Sequence, residues 1–269
     1  DCSHYAWSRT AVDSACRGRN GMSTRLDLNA DLGEGCAFDA ELMSVVTSCN
    51  IACGGHAGDT ASMRTALSLA KENHVAAGAH PSFPDRENFG RTKSTLSGTA
   101  LEDSLREQVA ALKSEADALG VSLTHLKPHG ALYNMAALDA GLAESVVAVL
   151  RDLLPDAALF GPPSSKLQAA ANGHNISFVA EGFADRAYEA DGRLRDRTLD
   201  GAVIHDAEIQ SNQALTMATR KEVVTYPGET IALPVETICV HGDTPGAFAA
   251  AQSIKATLER HGITLCPPT

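Results

Sequence analysis

Leu26-Asp27-Leu28-Asn29-Ala30-Asp31-Leu32-Gly33-Glu34-Gly35 decides the fold: a short apolar run, 26–28, that empties into an elbow of acids, an amide and glycines. The same junction recurs along the chain. The run 50–53 leads into Gly54-Gly55-His56-Ala57-Gly58-Asp59, 75–79 stops at His80-Pro81, and 123–126 stops at Lys127-Pro128-His129-Gly130. Further on, 158–160 reaches Gly161-Pro162, 177–180 reaches Glu181, and 237–240 reaches His241-Gly242-Asp243. Most of these seven junctions precede a helix-like segment. Strand, polar elbow and helix, repeated, is how a (β/α) barrel gathers reactive side chains at one face. The pattern predicts an α/β enzyme: a single seven-stranded, TIM-like (β/α) barrel over residues 22–269.

Composition agrees with that reading. The 269 residues suffice for one large domain, and with 44% hydrophobic but only 4% aromatic residues the packing falls to Ala, Val and Leu, as suits helices lying on a parallel sheet. A net charge of −11 without a Lys/Arg-rich stretch argues against a nucleic-acid partner, which needs concentrated positive charge. No apolar run approaches bilayer length, so no membrane span is expected. The seven cysteines (Cys2, Cys16, Cys36, Cys49, Cys53, Cys239, Cys266) are odd in number and scattered, without paired CxxC spacing. They suggest neither a zinc site nor a disulfide framework, and fit a reducing cytoplasm. Residues 1–21 lack periodicity and hold the only tryptophan, Trp7. They read as a disordered leader or cloning-derived extension, with Met22 as the natural start.

Caps and period place the helices. Asp39 is expected to cap 40–47, and Asp59 or Thr60 a helix to 73 with Met63, Leu67 and Ala70 on one face. Leu101, Leu105, Val109, Leu112 and Leu119 mark a helix over 99–119 that Gly120 ends. Others are predicted at 137–154, 164–172, 206–219 and 244–261, the last with Pro245 in its first turn. Two connections are long, 80–99 and 181–237, the second containing a hairpin around Tyr226-Pro227-Gly228. Both leave the reactive face, so the 81–91 loop and the 181–197 arm read as covers over a site.

His56, His80, His129 and His241 all follow strand ends, whereas His125 falls inside a strand. One such imidazole reads as a satisfied hydrogen bond; four that converge suit proton transfer near neutrality. Asp59 and Asp243 stand at helix starts, where capping is the ordinary role. Asp31 and Glu34 lie in the first elbow with no helix to cap, and Glu181 ends an apolar strand, so these three read as site acids. Asp27 alternates within its strand. Lys127 at a strand end can neutralise a carboxylate, a phosphate or a developing oxyanion. Arg86, Arg91 and Arg186 can clamp an anion bidentately. Neither GxxxxGK[ST] nor GxGxxG is present, so both common nucleotide cradles are missing, and there is no GxSxG elbow. An Asp with two His can bind a divalent metal, although no HxH or HExxH spacing supports one.

Asp27-Leu28-Asn29-Ala30-Asp31-Leu32-Gly33-Glu34-Gly35, the 50–59 block, Gly78-Ala79-His80-Pro81-Ser82-Phe83-Pro84-Asp85-Arg86, Lys127-Pro128-His129-Gly130-Ala131-Leu132-Tyr133-Asn134, Phe183-Ala184-Asp185-Arg186 and His241-Gly242-Asp243 closely resemble the LamB/YcsF family. The resemblance runs in order over about residues 26–264. It implies a barrel similar to the glycoside hydrolase/deacetylase superfamily. It also implies the A subunit of an ATP-dependent 5-oxoprolinase, which opens the lactam of 5-oxoproline to L-glutamate together with B and C subunits. On that resemblance Asp31, His56, His80, Lys127, His129, Glu181 and His241 are the catalytic candidates, and Asn29, Glu34, Arg86, Arg91, Tyr133 and Arg186 the substrate-binding ones. ATP is then expected to be used by the assembled complex, with phosphorylation on the partner subunits because the cradle is missing here. Two departures stand out: Gly55 where the family commonly has Phe, a lost aromatic wall, and Arg195-Asp196 where it has an apolar residue and Pro. The runner-up is a metal-dependent deacetylase or carbohydrate amidase with Asp31, His56 and His80 as ligands. The third reading is a non-catalytic subunit that only presents substrate.

Overall fold

The computed structural model describes residues 24–242 and 246–268. Six parallel strands follow one another around a barrel: β1 (Arg25–Leu32), β2 (Ser48–Ala52), β3 (Ala76–His80), β4 (Leu123–Leu126), β5 (Ala158–Gly161) and β6 (Phe178–Phe183). A hairpin of β7 (Glu222–Val224) and β8 (Thr230–Ala232) intervenes, centred on the turn read at 226–228. The seventh barrel strand, β9 (Thr237–Val240), pairs in parallel with both β6 and β1 and closes the ring. A short β10 (Thr264–Leu265) adds to the start of β1.

Around the strands lie α1 (Asp39–Met43), α2 (Thr60–Asn73), α3 (Gly98–Leu119), α4 (Gly130–Ala136), α5 (Ala140–Leu153), α6 (Lys166–Gly173), α7 (Ala207–Arg220) and α8 (Ala247–Arg260). Their starts and stops follow local chemistry. Asp59 accepts the Ser62 amide while Ser62 Oγ accepts the Asp59 amide, a reciprocal cap for α2. The period in α3 buries Leu101, Leu105, Val109 and Leu112 against the barrel, and Gly120 ends the helix at φ 64°.

Three expectations need correction. Asp39 does not cap a helix over 40–47: its carboxylate turns back to accept the Gly33 amide at 2.8 Å, and α1 lasts only five residues behind Phe38. The 137–154 segment is preceded by a separate helix, α4, because Gly130 at φ 57° turns the chain directly after His129 and Asp139 then caps α5. Strands β1 and β6 run further than their apolar residues, so Asp31 and Glu181 lie within strands. The readings at 1–21, Met22, Asp243, Thr244 and Pro245 fall outside the described residues.

The longer strands have one cause. Leu26, Leu28, Ala30 and Leu32 face the helix layer, while Asp27, Asn29 and Asp31, two apart on the pleat, form the other face of β1 and are buried. Barrel interiors are ordinarily filled by branched aliphatics; a hydrogen-bonded column runs through this one. Thr47, Ser48 and Thr237 hydroxyls donate to Asp27. Asn29 Nδ2 donates to Thr237 Oγ1 and to Glu181 Oε1, and Asn50 Nδ2 donates to Asn29 Oδ1 and Asp31 Oδ1. Asn50 Oδ1 accepts from His125 Nε2 at 2.9 Å. Gly78 makes room for that imidazole: a Cβ there would stand 2.2 Å from His125 Cδ2. Burial drives Asp27 up to about 6, the three hydroxyls opposing it.

Candidate active site

The column ends at the C-terminal mouth in two linked clusters. In the first, Lys127 Nζ lies 2.9 Å from Asp31 Oδ1, 2.8 Å from Glu181 Oε1 and 3.1 Å from Cys239 Sγ. All four side chains are buried. Burial works against the charge on Lys127, yet Asp31 and its other acidic neighbours hold the ammonium well above its usual range. Burial likewise opposes Asp31, and His80 and Lys127 overcome it, holding that carboxyl well below its usual range. The pair is therefore an ion pair in a dry setting.

In the second cluster Glu34, His56, His80 and His129 converge. Glu34 Oε1 is 2.9 Å from His56 Nε2, 3.4 Å from His129 Nδ1 and 3.8 Å from His80 Nε2. His80 Nε2 is 2.9 Å from His129 Nδ1 and 3.3 Å from Asp31 Oδ2. The His56 and His129 rings stack at 3.6 Å between centroids. Burial pushes His56 down to about 4, and burial with repulsion from His80 and His56 pushes His129 well below 6.5. Both are neutral bases at pH 7.

His241 joins through Asp31, its Nε2 3.9 Å from Oδ2, while its Nδ1 pairs with Asp185 Oδ2 at 2.7 Å. Asp31, His56, His80, Lys127, His129, Glu181 and His241 thus form one connected group. Tyr133 stands in its wall, edge-on to Phe183, and burial together with the nearby Glu181 carboxylate drives its phenol well up. Tyr133 Oη and Glu181 Oε2 are both buried side by side at the mouth.

The remaining candidates sit elsewhere than the sequence suggests. Asn29 is fully buried beneath the mouth and donates to Glu181 Oε1 and Thr237 Oγ1. Arg86 donates to the Gly54 and Gly58 carbonyls and so braces the loop after β2. Arg186 donates to the Ala202 and Arg195 carbonyls, tying the 181–197 arm together. Arg91 lies over the Phe89 ring. Burial first, then Arg197 and Arg91, lower Arg186 to about 10, so these guanidiniums stand close enough to repel. Gly55 does not open a gap in the site wall. A Cβ there would meet Gln108 Oε1 at 2.3 Å and Ser82 Oγ at 2.5 Å, so Gln108 of α3 fills that side. Nor does Asp31 group with His56 as a ligand set; the close set takes Glu34 and adds His129.

Asp185, Phe89, Asn50, Cys239 and Arg197 belong to the site or its support without having been singled out. Asp185 and Asn50 had a signal, their places in the Phe183-Ala184-Asp185-Arg186 and 50–59 blocks. The others are ordinary residue types whose position only the fold supplies.

Comparison with known proteins gives a consistent picture. The model of the LamB/YcsF family matches residues 26–269. The chain is 44% identical over 239 residues to the A subunit of 5-oxoprolinase from Histophilus somni (strain 129Pt), covering 89% of this chain and 97% of that one. It is similar to the crystal structure of the lactam utilization protein from Thermus thermophilus, with a TM-score of 0.84 at 34% identity over 90% of this chain and 99% of that one. A polysaccharide deacetylase from Bacillus cereus shares the fold, with a TM-score of 0.50 at 17% identity over 91% and 92% of the two chains.

Proposed function

We propose a function that follows from kinship: the chain belongs to the LamB/YcsF family. It is the ring-opening subunit of a 5-oxoprolinase, hydrolysing the lactam of 5-oxoproline to L-glutamate in an ATP-dependent reaction with B and C subunits in the cytoplasm. The observation that carries this reading is the burial of Asp31, His56, His80, Lys127, His129 and Glu181 in one bonded group. Taking ions out of water costs several kcal/mol each, and concentrating them at a barrel mouth is the mark of chemistry rather than of stability.

A five-membered lactam is a stabilised amide. Its opening needs a base for water, an acid for the ring nitrogen and a counter-charge for the oxyanion. His129 and His56 are neutral, and each presents one lone pair to a proton or to a metal ion; Lys127 is charged and preorganised beside them. Neither common nucleotide-phosphate cradle is present in the sequence. ATP is therefore assigned to the partner subunits, and no step of this chain runs through it. Arg91 and Arg197, near His56 and Asp185, offer positive charge toward the substrate carboxylate.

The test is 5-oxoproline-dependent ATP hydrolysis and glutamate release by this chain alone, with B and C, and with each omitted. Turnover is expected only from the complete set. Robust ring opening by the isolated chain, or by B and C without it, overturns the assignment.

A further inference from the structure

The second cluster holds an electrostatic contradiction that its hydrogen bonds expose. His80 Nδ1 lies 2.8 Å from the Lys127 carbonyl, and His129 Nε2 lies 3.0 Å from the Phe89 carbonyl. A carbonyl only accepts, so each of these nitrogens carries the ring proton. In the neutral ring the other nitrogen is then a bare lone pair. Those two lone pairs, His80 Nε2 and His129 Nδ1, face each other at 2.9 Å. Asp31 Oδ2 stands 3.3 Å from the first and Glu34 Oε1 3.4 Å from the second. Two lone pairs and two carboxylate oxygens pointed together repel unless a shared proton or a metal ion lies among them.

We propose that Glu34, His56, His80 and His129 form a binding site for one divalent transition metal ion of the zinc class. The geometry fits. With metal–nitrogen bonds of about 2.0–2.1 Å, the ligand atoms of a tetrahedral site stand roughly 3.3 Å apart. The separations measured from Glu34 Oε1 to His56 Nε2, His80 Nε2 and His129 Nδ1, and between the last two, run from 2.9 to 3.8 Å, and all four atoms lie within 4.8 Å of one another. Three imidazoles and a carboxylate suit zinc, cobalt or nickel better than magnesium or calcium. The two backbone carbonyls do what outer partners of metal-bound histidines do, fixing tautomer and ring orientation. Phe89 packs edge-on against both His56 and His129 and shields the set from water.

The neighbouring trio of Asp31, Cys239 and His241 is not a second site. Lys127 Nζ is already in hydrogen-bond contact with Asp31 and Cys239, and an ammonium there excludes a dication. One ion is expected per chain.

Such an ion would polarise a carbonyl or acidify a water, so the inference deepens the lactam reading and rests on it for that role alone. Binding itself is measured separately. The purified chain is stripped with a chelator and titrated with Co²⁺ and Zn²⁺, followed by calorimetry and by the visible spectrum of the cobalt form. One equivalent and an intense tetrahedral cobalt band are expected. His129→Gln and Glu34→Gln, each checked for native circular dichroism, should weaken binding by at least about 100-fold, whereas His174→Gln on the surface should not. Absence of stoichiometric binding in the folded wild-type chain, or unchanged affinity in both ligand variants, overturns the site. The complete assembly is then assayed with loaded and stripped chain. Turnover by a chain that binds no metal removes the site and leaves lactam opening standing. One equivalent bound by a chain whose assembly opens no lactam does the reverse.

Discussion

Lys127 and His129 stand two residues apart across a proline, yet their surroundings give them opposite protonation: Lys127 stays charged between Asp31 and Glu181, and His129 stays neutral among other imidazoles. Their alanine variants should fail differently. Lys127→Ala leaves two buried carboxylates uncompensated, so it should lose about 3–5 kcal/mol of stability as well as turnover. His129→Ala should stay folded and lose about 10²–10⁴-fold in coupled turnover. Urea unfolding and coupled assays separate the two, and near-normal turnover in folded His129→Ala would favour a subunit that only presents substrate. His125 makes a different prediction. It is fully buried, and burial followed by repulsion from Lys127 pushes its imidazole down to about 3. An unfolded histidine binds its proton near 6.5. Its contribution is thus intact above pH 6.5 and is lost as pH falls toward 3, about 3 kcal/mol between pH 7 and pH 4. The stability gap between wild type and His125→Asn should shrink by that amount over the same window; a gap independent of pH would sink this account.

At the scale of elements, the 81–91 loop is tied to its surroundings at several points. The Gly90 carbonyl accepts the Ala131 amide, the Phe89 carbonyl accepts His129 Nε2, and Arg86 anchors to the loop after β2. Glycine is required where the loop meets α4. A Cβ on Gly90, at φ 64°, would stand 2.8 Å from His56 Cβ and 3.0 Å from His129 Cδ2. A Cβ on Gly130 would meet the Gly90 carbonyl at 2.6 Å. Gly90→Ala should therefore displace both imidazoles and cut coupled turnover by up to about 10²-fold, with about 1–2 kcal/mol of backbone strain. Gly192→Ala, at φ 81° but with Ile231 Cδ1 no nearer than 3.5 Å, carries similar strain without touching the site. Equal loss of turnover in both would show that strain alone is responsible.

For the whole molecule, the ring is held at its seam. β1 contributes Asp27, Asn29 and Asp31 to the interior, and its first residues are held by β10 and by Arg25 Nε donating to Cys266 Sγ. Ile263 and Cys266 are buried. Ending the chain after Gly262 should cost about 2–4 kcal/mol in urea unfolding, the range for deleting one or two large buried side chains; a loss below about 0.5 kcal/mol would mean that the barrel closes without β10. Among the described residues no single helix is long and apolar enough to cross a membrane.

How much of this was legible follows from what each signal depends on. Period and punctuation are local, so the seven barrel strands, the reciprocal cap of α2, the Gly120 stop and the hairpin at 226–228 could be read from neighbouring residues alone. The strand-end positions of His56, His80, Lys127, His129 and His241 were equally readable, because a parallel barrel sends every such position to one mouth. What stayed hidden were properties of pairs far apart in the chain. No local pattern shows that Asp31 and Glu181 share the ammonium of Lys127, that Arg86 and Arg186 spend their donors on backbone carbonyls, or that Asn29 supports Glu181 from below. Nor does any show that two carbonyls fix the tautomers of His80 and His129. The barrel and the set of residues that reach its mouth are written in the chain, because both depend on alternation and local turns. Which of those residues are charged, neutral or turned away is a property of the closed ring, because burial and partner distance, which set protonation and hydrogen bonding, exist only once the strands have met.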